Sequence, residues 1–123
     1  NPLSQYDEIE LYMLKSENFV GLYDTIPIRI VTDKFCREVG HFVPNYTFKS
    51  HEDFATIYRV SKNAGVAILP YKYYSIHPSN DVKVLRIKNA MCSKLIIAWA
   101  KDRTLSVPEQ AFLDYCKQWF KAL

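Results

Sequence analysis

The alternation of apolar and polar positions between residues 19 and 40 predicts a strand followed by a helix. The short apolar run of residues 19–23 predicts the strand, and Pro27 is suited to the first turn of the helix. Asp24 and Thr25 are expected to cap that helix, and Gly40 is expected to end it in the left-handed conformation. Apolar side chains recurring at helical spacing predict its buried face: Ile28, Val31, Phe35, Cys36 and Val39.

The same pattern repeats between residues 46 and 70. Residues 46–49 predict a second strand, and Ser50 with Asp53 three positions later resembles a capping box at the start of a second helix. Gly65 is expected to end this helix, and the apolar residues 66–69 predict a strand that Pro70 terminates. The predicted buried face of the second helix consists of Phe54, Ile57, Tyr58 and Ala64.

A strand that is apolar on both faces is typical of a parallel sheet covered by helices. The order β-α-β-α-β with short loops therefore predicts an α/β fold, a three-layer sandwich with a mainly parallel sheet. Residues 82–87 alternate as an edge strand would, and residues 94–100 predict a stronger apolar strand. Ser106, Pro108 and Glu109 predict the start of a closing helix. Its expected apolar face consists of Phe112, Cys116, Trp119, Phe120 and Leu123.

Composition narrows the class of protein. The chain has 123 residues, of which 49% are apolar and 24% charged, as in an ordinary soluble globular domain. The net charge of +3 is scattered, whereas a nucleic-acid surface usually shows a basic cluster. Cys36, Cys92 and Cys116 are odd in number and far apart, which favours reduced thiols in a cytoplasmic protein. No apolar run approaches membrane-spanning length, and no signal peptide pattern is visible.

The sequence carries little that could support catalysis. Three glycines cannot build a phosphate-binding loop, and His51-Glu52 lacks the second histidine of a zinc protease motif, because position 55 is Ala. The histidines and cysteines fit no common metal spacing. Cys36 with His41 is a conceivable nucleophile pair, but Cys36 is more simply a small core residue. We therefore expect no catalytic residues, no metal, no cofactor and no enzyme activity.

The two strand–helix connections are the places where a ligand is expected. In open α/β sheets, ligands bind outside the carboxyl ends of the parallel strands, where loops lead into helix N-termini. Here those connections contain Tyr23, Asp24 and Thr25 in one case and Ser50 and His51 in the other. Backbone N–H groups and hydroxyls at a positive helix end suit a small anion. The alternative is that Thr25 and Ser50 only cap their helices.

Three stretches resemble the effector-binding region of LysR-type transcriptional regulators. They are NPLSQYDEIELYMLKSENFVGLYD (1–24), FKSHEDFATIYRVSKNAGVAILP (48–70) and LIIAWAKDRTLSVPEQAFLDY (95–115). They are similar, in order, to the family's Pro-Leu loop with its strand, to its serine-capped helix before a Leu-Pro strand, and to its Ser-Pro turn with the final helix. The sequence departs from that pattern by having Asn1 in place of the usual His and one glycine, Gly65, in place of two.

The resemblance implies a fold, a function and partners. It implies a lobe like that of periplasmic binding proteins, with a second lobe at residues 19–93 and the return strand and closing helix of the first lobe at 94–123. It implies a sensor of a small-molecule effector, an organic or inorganic anion, bound by Tyr23, Asp24, Thr25, Ser50 and His51. The DNA-binding helix-turn-helix is expected outside this chain, no membrane partner is expected, and the parent protein is expected to be a homodimer or tetramer.

Two other functions stay open at this point. One is a lobe of a solute-binding protein of a transport system, which shares the two-lobed architecture. The other is an enzyme that uses Cys36 or Cys92, which would require an activated thiolate. The pattern of residues 98–106, AWAKDRTLS, favours the regulator.

Overall fold

A computed structural model describes residues 1–92 and 96–121, which fall into two units, Asn1–Cys92 and Ser93–Leu123. The strands of the first unit are β1 (Glu8–Ile9), β2 (Asn18–Leu22), β3 (Asn45–Ser50) and β4 (Arg86–Ile87). Its helices are α1 (Pro27–Glu38), α2 (Asp53–Ser61) and α3 (Tyr71–Ile76), with 3₁₀ turns at Pro2–Gln5 and Leu11–Leu14. The second unit contains α4 (Val107–Lys121).

Parallel pairing around β2 confirms the central part of the predicted topology. β2 pairs with β3 in parallel, and Phe19 forms an isolated parallel bridge with Val66. The N–H of Val20 donates to the carbonyl of Val66 at 2.9 Å. Helices α1 and α2 connect these segments and both contact β2. The described residues therefore have an α/β fold with parallel strands.

The ladder between β2 and β3 contains one irregularity. Phe19 pairs with Tyr46, and the next residue of β2, Val20, pairs with Phe48. Thr47 is thus an extra residue in β3, as in a β-bulge. Its hydroxyl donates to the carbonyl of Phe19 at 3.3 Å. The bulge accommodates six residues of β3 opposite five of β2.

The third predicted strand and the edge strand are shorter than expected. Only Val66 joins the ladder, and residues 66–69 are half-buried. The prediction of a strand buried on both faces is therefore wrong, since the segment lacks the regular pairing that would enclose it. β4 covers only the end of the predicted strand 82–87 and pairs in parallel with β1. Pro70 precedes α3, a short helix that the sequence pattern did not predict.

The buried face of α1 differs from the predicted face. Phe35 and Cys36 are buried as expected, and they join Phe19 in the hydrophobic core. Val31 and Val39, however, are exposed, and Arg29 and Thr32 are buried in their place. The prediction failed because Arg29 has hydrogen-bond partners inside the fold, and the spacing of apolar residues cannot show such partners. In α2, likewise, Phe54 and Tyr58 are exposed, whereas Thr56 is buried beside Ile57.

Both helix ends also differ in detail. The left-handed backbone conformation belongs to His41 and Asn63, not to Gly40 as expected. Gly65 has a φ of +154° and lies beyond the end of α2. It matters because there is no room for a side chain at this position. A Cβ atom there would lie 2.4 Å from the carbonyl oxygen of Asn18. Glycine therefore permits the close approach that lets Val66 donate its N–H to Asn18 at 2.8 Å.

Neither predicted N-terminal cap forms. Ile26 precedes α1 and Glu52 precedes α2, and neither position has a side-chain capping hydrogen bond. Ser50 is the last residue of β3, and its hydroxyl accepts a hydrogen bond from the N–H of Glu52 at 3.0 Å. The capping roles proposed for Asp24, Thr25 and Ser50 are therefore wrong, because each helix starts later than those residues.

The second unit confirms the start of the closing helix. The carboxylate of Glu109 accepts hydrogen bonds from the N–H and the hydroxyl of Ser106, both at 2.8 Å, and it pairs with Arg103. These hydrogen bonds lower the pKa of Glu109 below its usual range, and Arg103 contributes to the shift. In the described part of α4, only Leu113 is buried.

The predicted buried face of the closing helix and the predicted strand 94–100 are not observed in the described residues. Phe112, Trp119 and Phe120 were expected on a buried face but are more than half exposed, and Cys116 is half-buried. Helical spacing predicts which residues share an apolar face but not what covers that face. Of the predicted strand 94–100, residues 96–100 form no β-ladder, and residues 94 and 95 lie outside the described residues, as does Leu123.

Candidate functional site

The two predicted ligand-binding segments meet at the end of the β2–β3 ladder. The N–H of Tyr23 donates to the carbonyl of Ser50 at 2.9 Å. The rings of Tyr23 and His51 pack with their centroids 4.5 Å apart and an interplanar angle of 34°. Because β2 and β3 are parallel, their carboxyl ends lie at one edge of the sheet, as the sequence analysis predicted. We call this cluster the strand-end edge: Tyr23, Asp24, Thr25, Ser50 and His51.

The strand-end edge is open to solvent. Tyr23, Asp24, Thr25 and His51 are exposed, and Ser50 is half-buried. Tyr23 follows directly after Leu22, which is only 4% exposed, so the chain passes from core to surface within one peptide bond. Hydroxyls, an imidazole and a carboxylate are thus presented together at the end of the ladder. Such a surface can exchange hydrogen bonds with a small polar ligand.

A partly buried polar network centred on the buried Arg29 adjoins this edge through the carbonyl of Leu22. Nη1 of Arg29 donates to the carbonyl of Leu22 at 2.7 Å, and its Nε donates to Oδ2 of Asp33 at 2.8 Å. The guanidinium carbon lies 3.3 Å from the ring centroid of Tyr46. The Tyr46 hydroxyl donates to Oδ1 of Asp33 at 2.9 Å. Burial and this hydrogen bond to Asp33 raise the pKa of Tyr46 well above its usual range.

Sequence reasoning missed this network, although one signal was present. Arg29 and Asp33 are four residues apart in a predicted helix, a spacing that favours an ion pair. Arg29 lies off the apolar face predicted for its helix, and no sequence rule brings Tyr46 and the Leu22 carbonyl to the same place. A second aromatic pair was also missed: Phe54, in the first turn of α2, packs edge-on against His77 with ring centroids 5.7 Å apart.

The thiols and possible metal ligands show no catalytic arrangement in the described ranges. Cys36 is fully buried, and burial raises the pKa of its thiol to about 11. A thiol in that state is a poor nucleophile. Across residues 1–92 and 96–121, no three His, Cys, Asp or Glu side chains are grouped so that they could hold a metal ion. The helices in these ranges are too short or too polar to cross a membrane.

The comparison with protein families decides the classification. The family model for the LysR substrate binding domain matches residues 1–121. The chain belongs to the LysR substrate-binding domain family. The resemblance seen in the sequence is thereby confirmed. The matched residues 1–121 therefore correspond to the LysR substrate binding domain.

Individual relatives agree with the family assignment. The chain is 30% identical over 121 residues to the "Uncharacterized HTH-type transcriptional regulator YwbI" of Bacillus subtilis (strain 168), covering 95% of this chain and 39% of that protein. It is similar to the effector binding domain of QuiR in complex with shikimate, with a TM-score of 0.81 and 28% identity, covering 99% of this chain and 57% of the other.

A second solved structure supports the fold. HinK, a LysR family transcriptional regulator from Pseudomonas aeruginosa, has a TM-score of 0.72 and 24% identity, covering 96% of this chain and 41% of the other. The chain therefore spans about two fifths of YwbI and of the HinK chain, and somewhat more than half of the QuiR domain. The LysR-type domain of this chain corresponds to a part of each of those proteins.

Proposed function

We propose that this LysR-type domain recognises a small organic acid at the strand-end edge and that binding changes how the parent regulator holds DNA. One observation carries the choice of site: the hydrogen bond from Tyr23 to Ser50, with the packing of Tyr23 against His51, unites two loops that are 27 positions apart. Thr25 and Ser50 are the proposed hydroxyl contacts to the ligand.

The chemistry of the edge favours a carboxylate that also carries hydroxyl groups. Hydroxyls and backbone N–H groups can donate to a carboxylate. Asp24 is an exposed carboxylate beside them, so it would repel a bare anion but accept a hydrogen bond from a ligand hydroxyl. The QuiR effector domain is in complex with shikimate, a hydroxylated ring carboxylate, which makes shikimate a suitable first probe here.

The proposal includes an arrangement for the parent protein. Residues 19–93 form its second effector lobe, and residues 94–123 supply the return strand and closing helix of the first lobe. The complete fold is a three-layer sandwich like that of periplasmic binding proteins. A helix-turn-helix elsewhere in the parent contacts DNA, and a homodimer or tetramer acts in the cytoplasm without enzyme activity. The match to a regulator family supports this proposal over a transport protein.

A ligand screen by thermal unfolding tests the proposal. Shikimate, succinate and sulfate are added to the whole chain and to four variants. Thr25→Val and Ser50→Ala alter the strand-end edge, whereas Thr104→Val and Ser16→Ala change exposed residues elsewhere and serve as matched controls. Since a ligand that binds only the folded state raises Tm, we expect a saturable rise in the wild type and both controls.

The site variants should lose that rise. A ligand-induced rise in Tm as large in Thr25→Val and Ser50→Ala as in the wild type would contradict the proposed contacts. A wild-type chain that unfolds cooperatively at the same temperature with every probe would contradict an effector site within this chain.

A further inference from the structure

We propose that Arg29 is a positioning residue for the strand-end edge, a role that rests on the function proposed above. Arg29 is buried on α1 and does not belong to the cluster of exposed side chains. It acts on that cluster through the peptide group that joins Leu22 to Tyr23, because this peptide group sets where the Tyr23 side chain leaves the core.

That peptide group is held from both sides. Its carbonyl, on Leu22, accepts from Nη1 of Arg29 at 2.7 Å. Its N–H, on Tyr23, donates to the carbonyl of Ser50 at 2.9 Å. Any rotation of the peptide plane would therefore stretch both hydrogen bonds. The two constraints come from different elements, α1 and β3, and they meet at the residue where the candidate binding surface begins.

Arg29 is itself immobilised. Its Nε donates to Oδ2 of Asp33, which is fixed in turn by the hydroxyl of Tyr46, and the guanidinium lies over the Tyr46 ring. The side chain is only 9% exposed. Charge-assisted hydrogen bonds of this kind are stronger than neutral ones. The carbonyl of Leu22 is thus held by a group that has little freedom to follow it.

The geometry requires a guanidinium. One planar fork bonds Asp33 through Nε and Leu22 through Nη1 while its face covers an aromatic ring. A lysine ammonium is a single point of charge and cannot place two separated nitrogens at these acceptors. Arg29→Lys therefore keeps the positive charge beside Asp33 but releases the Leu22 carbonyl.

Amide hydrogen exchange separates positioning from general stability. Exchange is measured at Tyr23, whose N–H bonds Ser50, and at Val20, whose N–H bonds Val66 on the same strand. In Arg29→Lys we expect protection at Tyr23 to fall by about tenfold while protection at Val20 stays within about twofold of wild type. The matched control is Arg37→Lys, on an exposed position of the same helix. Arg37→Lys should leave the protection of both amides unchanged.

Asp33→Asn provides a second variant that keeps Arg29 in place while weakening its anchor. It should reduce protection at Tyr23 by less than Arg29→Lys does. Equal losses of amide protection at Tyr23 and Val20 would show that Arg29 only stabilises the fold. Unchanged protection at Tyr23 in both variants would show that Arg29 does not hold the peptide group between Leu22 and Tyr23. Either result overturns the inference.

Titration with shikimate links positioning to binding. Arg29→Lys should weaken the affinity by about tenfold, and Arg37→Lys should leave it unchanged. Local loss of protection at Tyr23 with unchanged affinity overturns the role in binding. If the wild type binds no shikimate, succinate or sulfate, the proposed function fails, whereas the exchange experiment still decides whether Arg29 holds the peptide group.

Discussion

The hydroxyl of Tyr46, on β3, donates a hydrogen bond of 2.9 Å to Oδ1 of Asp33, on α1. Asp33 also accepts from Arg29 on the same helix, and Arg29 donates in turn to the carbonyl of Leu22 on β2. Gly21 makes this arrangement possible, since a Cβ atom there would lie 2.5 Å from Cε1 of Tyr46. Three elements of the first unit are joined by one buried polar contact set.

Tyr46→Phe should destabilise the chain by about 1–2 kcal/mol, because it removes a hydrogen bond to a half-buried carboxylate while keeping the ring that covers Arg29. Urea unfolding measures the change as a shift in midpoint with an unaltered slope. Tyr12→Phe, at an exposed tyrosine, is the matched control and should have almost no effect. Equal midpoints for the two variants would contradict the importance of the Tyr46–Asp33 contact.

Gly65→Ala should destabilise the chain by about 2 kcal/mol or more, because the new methyl group would meet the carbonyl oxygen of Asn18 at a φ of +154°. Gly21→Ala should cost less, since the obstacle there is a side chain and not backbone and since Gly21 has no positive φ, but it should displace the Tyr46 ring from its contacts with Asp33 and Arg29. Comparing the two free energies of unfolding tests this order. The reverse order would show that backbone contact at Gly65 relaxes more readily than the distances indicate.

Alkaline pH should weaken the fold. In the unfolded chain Cys36 and Tyr46 lose protons near their ordinary pKa values of 9.0 and 10.0, but burial raises the pKa of Cys36 to about 11 and raises that of Tyr46 further. Above pH 9 the unfolded state therefore binds fewer protons than the folded state, and the free energy of unfolding falls as pH rises. Urea titrations from pH 7 to 10.5 measure this slope.

The same titrations on Tyr46→Phe and Cys36→Ala identify the groups responsible. Each variant should be less stable at pH 7 yet lose stability less steeply above pH 9. Identical slopes in the wild type and both variants would assign the alkaline loss to other groups.

Cys36 and Cys92 should differ sharply in their rates of alkylation. At pH 8 a thiol with a pKa of about 11 is ionised in only about one molecule in a thousand, and Cys36 is also inaccessible. Cys92 is exposed. Treatment with iodoacetamide followed by peptide mapping should label Cys92 in the folded chain and Cys36 only after unfolding. Rapid labelling of Cys36 in the folded chain would instead support the hypothesis that Cys36 is an activated nucleophile.

Local chemistry made some elements predictable. Residues 19–23 and 46–49 were recognised as strands from their apolar and alternating character, and both lie in the observed ladder apart from Tyr23. Ser106 and Glu109 were recognised as a helix start because a capping box depends on only four consecutive residues. The position of the candidate site followed from the parallel order of the strands, while the roles of its side chains stay predictions.

Other features depended on contacts that no local pattern contains. Arg29 lies off the predicted apolar face of its helix, yet it is buried because the Leu22 carbonyl and Asp33 accept its hydrogen bonds and the Tyr46 ring lies against it. Gly65 was recognised as important for a turn, but the decisive fact is the carbonyl of Asn18, which approaches from 47 residues away. Both errors have one cause: tertiary contacts override the preferences of isolated segments.

The extra residue in β3 has a consequence for how relatives of this domain can vary in length. Thr47 has no partner in β2, and beyond it Lys49 and Ser50 pair with Gly21 and Leu22. Deleting Thr47 would remove the bulge and leave Ser50 opposite Leu22, but the side chains of β3 that follow the deletion would move to the opposite face of the sheet. If the strand-end edge binds the ligand as proposed, insertions and deletions should therefore accumulate outside β3, where a change in loop length leaves the Ser50 side chain on its present face.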